Sequence, residues 1–124
     1  MTDETGAALT HFRITLANGA AIGPGKAKLL ETIAATGSIA AAGRSMKMSY
    51  KRAWLLVEAL NRSFPSPLVE PSRGGRNKGG AVLTEVGQDV LHRYRAIEDA
   101  SRKAAADHLR ALGSHLQDDM SSGK

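Results

Sequence analysis

The apolar positions of this chain change period along its length, and each change marks an element. Between Leu9 and Gly19, Phe12, Ile14 and Leu16 alternate with mostly polar neighbours. That alternation predicts a short strand ended by Asn18-Gly19. "AAIGPG" (20–25) reads as a loop, with Pro24 suited to the first turn of a helix. In "GKAKLLETIAAT" (25–36), Leu29, Leu30 and Ile33 recur at helical spacing, which predicts a first helix stopped by Gly37. Ser38 is a suitable N-cap for "IAAAGRSM", a short second helix of nearly all small residues that lets a neighbour cross closely. Met46-Lys47-Met48 is then a turn and Ser49 a second N-cap. The third helix runs to about Arg62, with core positions Ala53, Val57 and Leu60 flanked by Leu56 and Phe64, and "PSP" (65–67) ends it.

Two short extended pieces follow, Leu68–Pro71 and Ala81–Leu83, separated by "SRGGRNKGG". Glycine supplies the positive φ that turns require, so the segment predicts a β-hairpin with a long basic tip. Thr84 then caps a long helix ending at Gly113, with Glu85 placed well for the helix dipole. Along it Val90, Ile97, Ala104 and Ala111 recur every seven residues, although Ser101 and His108 interrupt the intervening positions. Tyr94, Leu109 and Leu112 add apolar surface. This is more apolar face than so small a domain needs, which predicts a two-fold dimer through Val90, Tyr94, Ile97, Ala104 and Leu109.

The fold class expected is therefore mainly α with a small β-hairpin. The order helix, short helix, tight turn, helix, hairpin is that of a winged helix-turn-helix, here with a long C-terminal dimerisation helix at about 84–112. Residues 1–8 and 114–124 are read as flexible tails around one domain at 9–113. In such a fold the first turn of the third helix enters the DNA major groove, which explains why "SYKR" precedes the apolar residues of that helix. Ser49 caps and lies near a phosphate. Tyr50 offers a hydroxyl and a ring face, and Lys51 and Arg52 reach base edges or phosphates, arginine being the commoner reader of guanine. Trp54, beside Ala53 at the edge of the core stripe, is read first as packing, with a direct DNA contact through its outward indole N–H as the second reading. Ser38 and the start of the second helix lean on the phosphate backbone, and Arg73, Arg76 and Lys78 at the hairpin tip position the protein without specifying sequence.

Charge sharpens this reading. The net charge is +5, and residues 44–78 hold eight cations against two anions, so the whole excess sits in that one segment. A concentrated excess is what a polyanion-binding surface looks like. The composition also excludes several classes. There is no cysteine, so neither a disulfide scaffold nor a thiolate zinc site is available. His11, His92, His108 and His115 lack metal-ligand spacing. "GPGK" (23–26) fails as a phosphate loop, because Ala20 stands where the first glycine belongs and Ala27 follows the lysine. No enzyme, cofactor or small-molecule ligand is expected. No apolar run is long enough for a membrane span, and the acidic start is unlike a signal peptide, so the expected compartment is the cytoplasm.

The pieces "GSI", "SYKRAW", the glycine-rich hairpin tip and "GGAVLTEVGQ" resemble the N-terminal DNA-binding domain of the molybdate-responsive transcriptional regulators, the ModE family. The resemblance covers about Phe12 to Arg110. The helix-turn-helix and the Leu-Thr-x-x-Gly after it are also similar to the LysR-type regulators. The resemblance implies a dimer on a palindromic operator, with Ser38, Ser49, Tyr50, Lys51, Arg52, Arg73, Arg76 and Lys78 placed at the DNA by position. Full-length family members carry a molybdate-binding region after the long helix, while other members are the DNA-binding domain alone. This sequence ends at Lys124, so molybdate binding is not expected of it.

The function expected is thus a sequence-specific, DNA-binding transcriptional regulator in molybdate- or metal-related gene control, with double-stranded DNA and a second copy of itself as partners. The alternatives are a winged-helix protein-interaction module and a sequence-blind, nucleoid-like DNA binder. An RNA binder would present more stacking aromatics than this chain has.

Overall fold

The computed structural model describes residues 6–72 and 80–116. The chain divides into two compact units, Arg13–Arg95 and a second made from the residues up to Phe12 with those from Ala96 onward.

The larger unit opens with a two-stranded antiparallel sheet, β1 (Ile14–Thr15) and β2 (Ala21–Ile22), in which Ile14 faces Ile22 and Thr15 faces Ala21. The turn between them is closed by Leu16 N–H donating to Ala20 O at 2.7 Å, with Gly19 at φ 90°. This revises two expectations. The strand read over Leu9–Gly19 contracts to two residues, because His11 at φ 49° leaves the extended region and the partner strand is itself only two residues long. The loop read over 20–25 contains that partner, and Ile22 is buried.

Helix α1 (Pro24–Thr36) begins with proline in its first turn and ends at Gly37, whose φ of 74° is left-handed and whose N–H donates to Ile33 O. A residue without a Cβ takes that conformation at little cost. α2 (Ile39–Ser45) is capped by Ser38, whose hydroxyl accepts from Ala41 N–H at 3.0 Å. α3 (Tyr50–Arg62) is capped by Ser49, which accepts from Arg52 N–H at 3.1 Å. Gly43 lets these two helices approach: a Cβ there would lie 3.2 Å from Ala53 Cβ. In the turn between them Lys47 takes a left-handed backbone, φ 61°.

Strands β3 (Val69–Pro71) and β4 (Ala81–Leu83) pair antiparallel, Val69 opposite Leu83 and Pro71 opposite Ala81. Ala81 N–H donates to Gly37 O at 2.9 Å and Gly80 bridges Ser38, so the hairpin is fastened to the junction of α1 and α2. The core gathers Leu29, Leu30 and Ile33 of α1, Ala42 of α2, Val57 and Leu60 of α3, and Leu68, Val69, Ala81 and Leu83 of the hairpin, with Leu56 and Phe64 packed against it.

The last helix, α4 (Glu85–Gly113), is capped by Thr84, whose hydroxyl accepts from Gly87 N–H at 2.9 Å. In the larger unit Arg95 of α4 grips Glu31 of α1 with two bonds, Nε to Oε2 at 3.0 Å and Nη2 to Oε1 at 2.8 Å. In the smaller unit Arg102 pairs with Glu98 at 3.0 Å and donates to Leu9 O at 3.3 Å.

Candidate nucleic-acid interface

Helix α3 sorts its residues by angle. At about 100° per residue, Ala53, Val57 and Leu60 fall on one side, and all three are buried. Lys51 and Leu55 point the opposite way, Tyr50 and Trp54 turn toward the hairpin, and Arg52 turns toward the β1–β2 sheet. Lys51 and Arg52 are both exposed, as the reading of "SYKR" requires. Their elevated place at the helix start is fixed by Ser49, whose cap orders the first turn.

Trp54 is more open than its expected packing role. It is 42% exposed, and its neighbours Tyr50 and Leu55 are 57% and 51% exposed. Its inner side lines a groove of about 270 Å³ between α3 and the hairpin, with Ile39, Val57, Val69 and Ala81.

On the other side of α3, Arg52 lines a cleft of about 350 Å³ together with Arg13, Lys26, Met48 and the start of α1. Arg13 and Lys26 lie outside the basic segment recognised in the sequence and join it only in space. Lys26 Nζ donates to Ala21 O at 3.1 Å, which holds it at this edge. The sole signal in the sequence was that Arg13 sits on the polar face of its strand.

Ser38 and Ser49 both use an oxygen lone pair in capping and keep a hydroxyl proton to donate. The hairpin that carries the basic tip is clamped by Asn61 of α3. Its Oδ1 accepts from Leu68 N–H at 2.8 Å and Val69 N–H at 3.0 Å, and its Nδ2 donates to Val69 O at 3.0 Å. Nothing in the local sequence around Asn61 marks this role. Arg73, Arg76 and Lys78 lie outside the described residues.

Of the residues expected at a dimer face, Tyr94 is corrected. It is 2% exposed, and the Arg95 guanidinium lies 5.5 Å from its ring centroid. Four residues advance a helix by about 400°, so Tyr94 sits roughly 40° from Val90, on the inward side. Its ring belongs to the protomer's own packing. Ile97 is 46% exposed, Ala104 is exposed, and Val90 and Leu109 are half-buried. Among the described residues no helix is long and apolar enough to cross a membrane, and no group of three or more His, Cys, Asp or Glu could hold a metal ion.

Comparison with known proteins fits this architecture. Over 94 residues the chain is 40% identical to the molybdenum-pterin-binding protein MopB of Rhodobacter capsulatus, spanning 76% of this chain and 35% of that protein. It is 40% identical over 83 residues to the transcriptional regulator ModE of Haemophilus influenzae, 67% of this chain and 32% of that one. The ModE dual regulator of Escherichia coli K12 is 37% identical over 81 residues. The chain thus spans about a third of the length of the curated relatives it matches. Among solved structures, the DNA-binding domain of CbnR in complex with DNA superposes with a TM-score of 0.53 at 25% identity, covering 70% of this chain and 93% of that one. Full-length CbnR with its target DNA gives a TM-score of 0.52 at 26% identity, covering 69% of this chain and 28% of that one. The family model for bacterial regulatory helix-turn-helix proteins of the lysR family matches residues 25–88, just over half of the chain. By that match the chain belongs to the LysR family of bacterial regulatory helix-turn-helix proteins.

Proposed function

We propose that this chain is the DNA-binding unit of a sequence-specific transcriptional regulator that acts as a two-fold dimer on a palindromic operator, in gene control related to molybdate. The observation that carries the proposal is the first turn of α3: Lys51 and Arg52 stand exposed beside a serine cap, while the buried residues of the helix face the other way. The relatives named as regulators, and the structural neighbours described as DNA complexes, support the same reading. The molybdate relation rests on the ModE and Mop relatives alone.

In this reading Lys51 and Arg52 reach base edges or phosphates, with Tyr50 beside them. Ser49 and Ser38 hold phosphates through their hydroxyl protons, as do Arg73, Arg76 and Lys78 on the hairpin tip. Arg13 and Lys26 extend the phosphate-holding edge on the Arg52 side. Val90, Ile97, Ala104 and Leu109 supply the dimer face, and the Tyr94 ring supports it from within each copy. No catalytic step is assigned.

Titration of a labelled duplex at increasing salt tests the proposal. Each phosphate neutralised lowers the logarithm of affinity by about 0.9 per logarithm of salt, so a steep linear decline is expected. A duplex that fails to bind even at low salt would overturn the reading and favour a protein-interaction module.

A further inference from the structure

The outward side of α3 holds more apolar surface than capping, core packing or charge explains. Tyr50, Trp54 and Leu55 are all large and all exposed. With Lys51 they line one shallow, mostly apolar depression of about 530 Å³. A single exposed leucine needs no account, but three contiguous apolar side chains in the first two turns of a helix, sharing a face with a cation, do.

We infer that Trp54 and Leu55 determine sequence preference by contacting the C5-methyl groups of thymines in the major groove. This rests on the DNA-binding reading proposed above. The edges of base pairs offer one apolar group, the thymine methyl, among donors and acceptors. Against Leu55, any other major-groove edge loses water from a polar atom and gains no hydrogen bond, which is unfavourable. The surface therefore selects for thymine and against the alternatives by the same physical cause. Lys51 lies four residues before Leu55 on the same helix face and holds the strip to the polyanion. Trp54 and Leu55 are successive residues, so their side chains leave the helix about 100° apart and are directed at two neighbouring base-pair edges rather than one. The strip thus reads two neighbouring steps in each half-site, with the Trp54 indole N–H free to meet an acceptor at the edge of one of them.

The test uses the intact chain and the duplex it selects from a random pool, with each thymine replaced in turn by deoxyuridine, which lacks only the methyl. Burying one methyl group favours binding about fourfold, so a loss of about that size is expected at one or two adjacent positions of each half-site. In Leu55→Ala and Trp54→Ala that loss should vanish, and the thymine and uracil duplexes should bind alike. Both side chains are surface-exposed, and circular dichroism checks that the variants keep their helices. Equal binding of thymine and uracil duplexes by the unaltered chain, with sequence preference otherwise intact, would overturn the inference and leave the DNA-binding reading standing. Absence of any duplex binding would overturn both.

Discussion

Asn61 and Val69 are joined by a reciprocal pair of hydrogen bonds: Val69 N–H donates to Asn61 Oδ1 at 3.0 Å, and Asn61 Nδ2 donates to Val69 O at 3.0 Å. A side-chain amide thereby takes the place of a neighbouring strand's backbone, and the end of α3 is bonded directly to β3. Leu68 and Val69 are both buried, so their N–H groups have no water to fall back on. Asn61→Ala should cost about 2–3 kcal/mol, read as a lower midpoint in urea denaturation. Asn61→Asp keeps the acceptor but sets a carboxylate oxygen against Val69 O in a part-buried site, and at neutral pH should cost at least as much as the alanine variant.

Gly87 sets how closely α4 packs on Leu68, the residue before β3. A Cβ at that position would lie 2.1 Å from Leu68 O, an oxygen that already accepts from Thr84 N–H at 2.9 Å. Backbone cannot rotate away as a side chain can. Gly87→Ala should therefore destabilise the chain by roughly 3 kcal/mol or more, visible as a fall in Tm, whereas Gly25→Ala, which meets nothing within 4 Å, should leave Tm nearly unchanged.

Lys47 holds a left-handed backbone, φ 61°, in the turn between α2 and α3. An L-residue there costs roughly 1–2 kcal/mol, and glycine removes that strain while adding unfolded-chain entropy. The net expectation for Lys47→Gly is a gain of about 0.5–1 kcal/mol in denaturant unfolding. A loss of stability would mean that the lysine side chain contributes more than its backbone strain removes.

Arg52 on α3 and Arg76, in the basic stretch between β3 and β4, should fail differently. Arg52→Ala should relax preference at one base pair at a cost of roughly 1–3 kcal/mol. Arg76→Ala should weaken all duplexes about equally and reduce the salt slope by about one. Competition binding on cognate and scrambled duplexes separates the two, and identical behaviour would refute the division into reader and positioner.

Along α4, Ile97 is exposed and Tyr94 is buried. Ile97→Glu should convert a dimer into monomers in sedimentation while leaving the helical signal intact. Tyr94→Ala should instead lower the stability of the protomer by roughly 3–5 kcal/mol. Unchanged sedimentation of Ile97→Glu would refute the dimer face.

The parts of the fold that could be read in advance are those governed by local chemistry. Ser38, Ser49 and Thr84 cap helices because a short hydroxyl reaches the N–H three residues on, and Leu29, Leu30 and Ile33 or Ala53, Val57 and Leu60 share a face by period alone. The rest depends on partners remote in sequence. Ala21-Ile22 becomes a strand only because Ile14-Thr15 lies across a tight turn, and His11 breaks the alternation that suggested a longer one. Tyr94 keeps company with Val90 in sequence, yet a rotation of some 40° about the helix axis turns it inward. The same limit applies to the candidate site: Lys51 and Arg52 were legible as an unusual helix start, whereas Arg13 and Lys26 reach Arg52 only through folding, and Asn61 acts only once the wing has formed against it.

The most direct test of the account is selection of bound duplexes from a random DNA pool by the purified chain at physiological salt. The expected result is a palindrome whose half-sites lie about one helical turn apart, lost when Lys51 and Arg52 are both replaced by alanine. Recovery of no motif, with affinity that follows ionic strength alone, would contradict it and identify a sequence-blind binder.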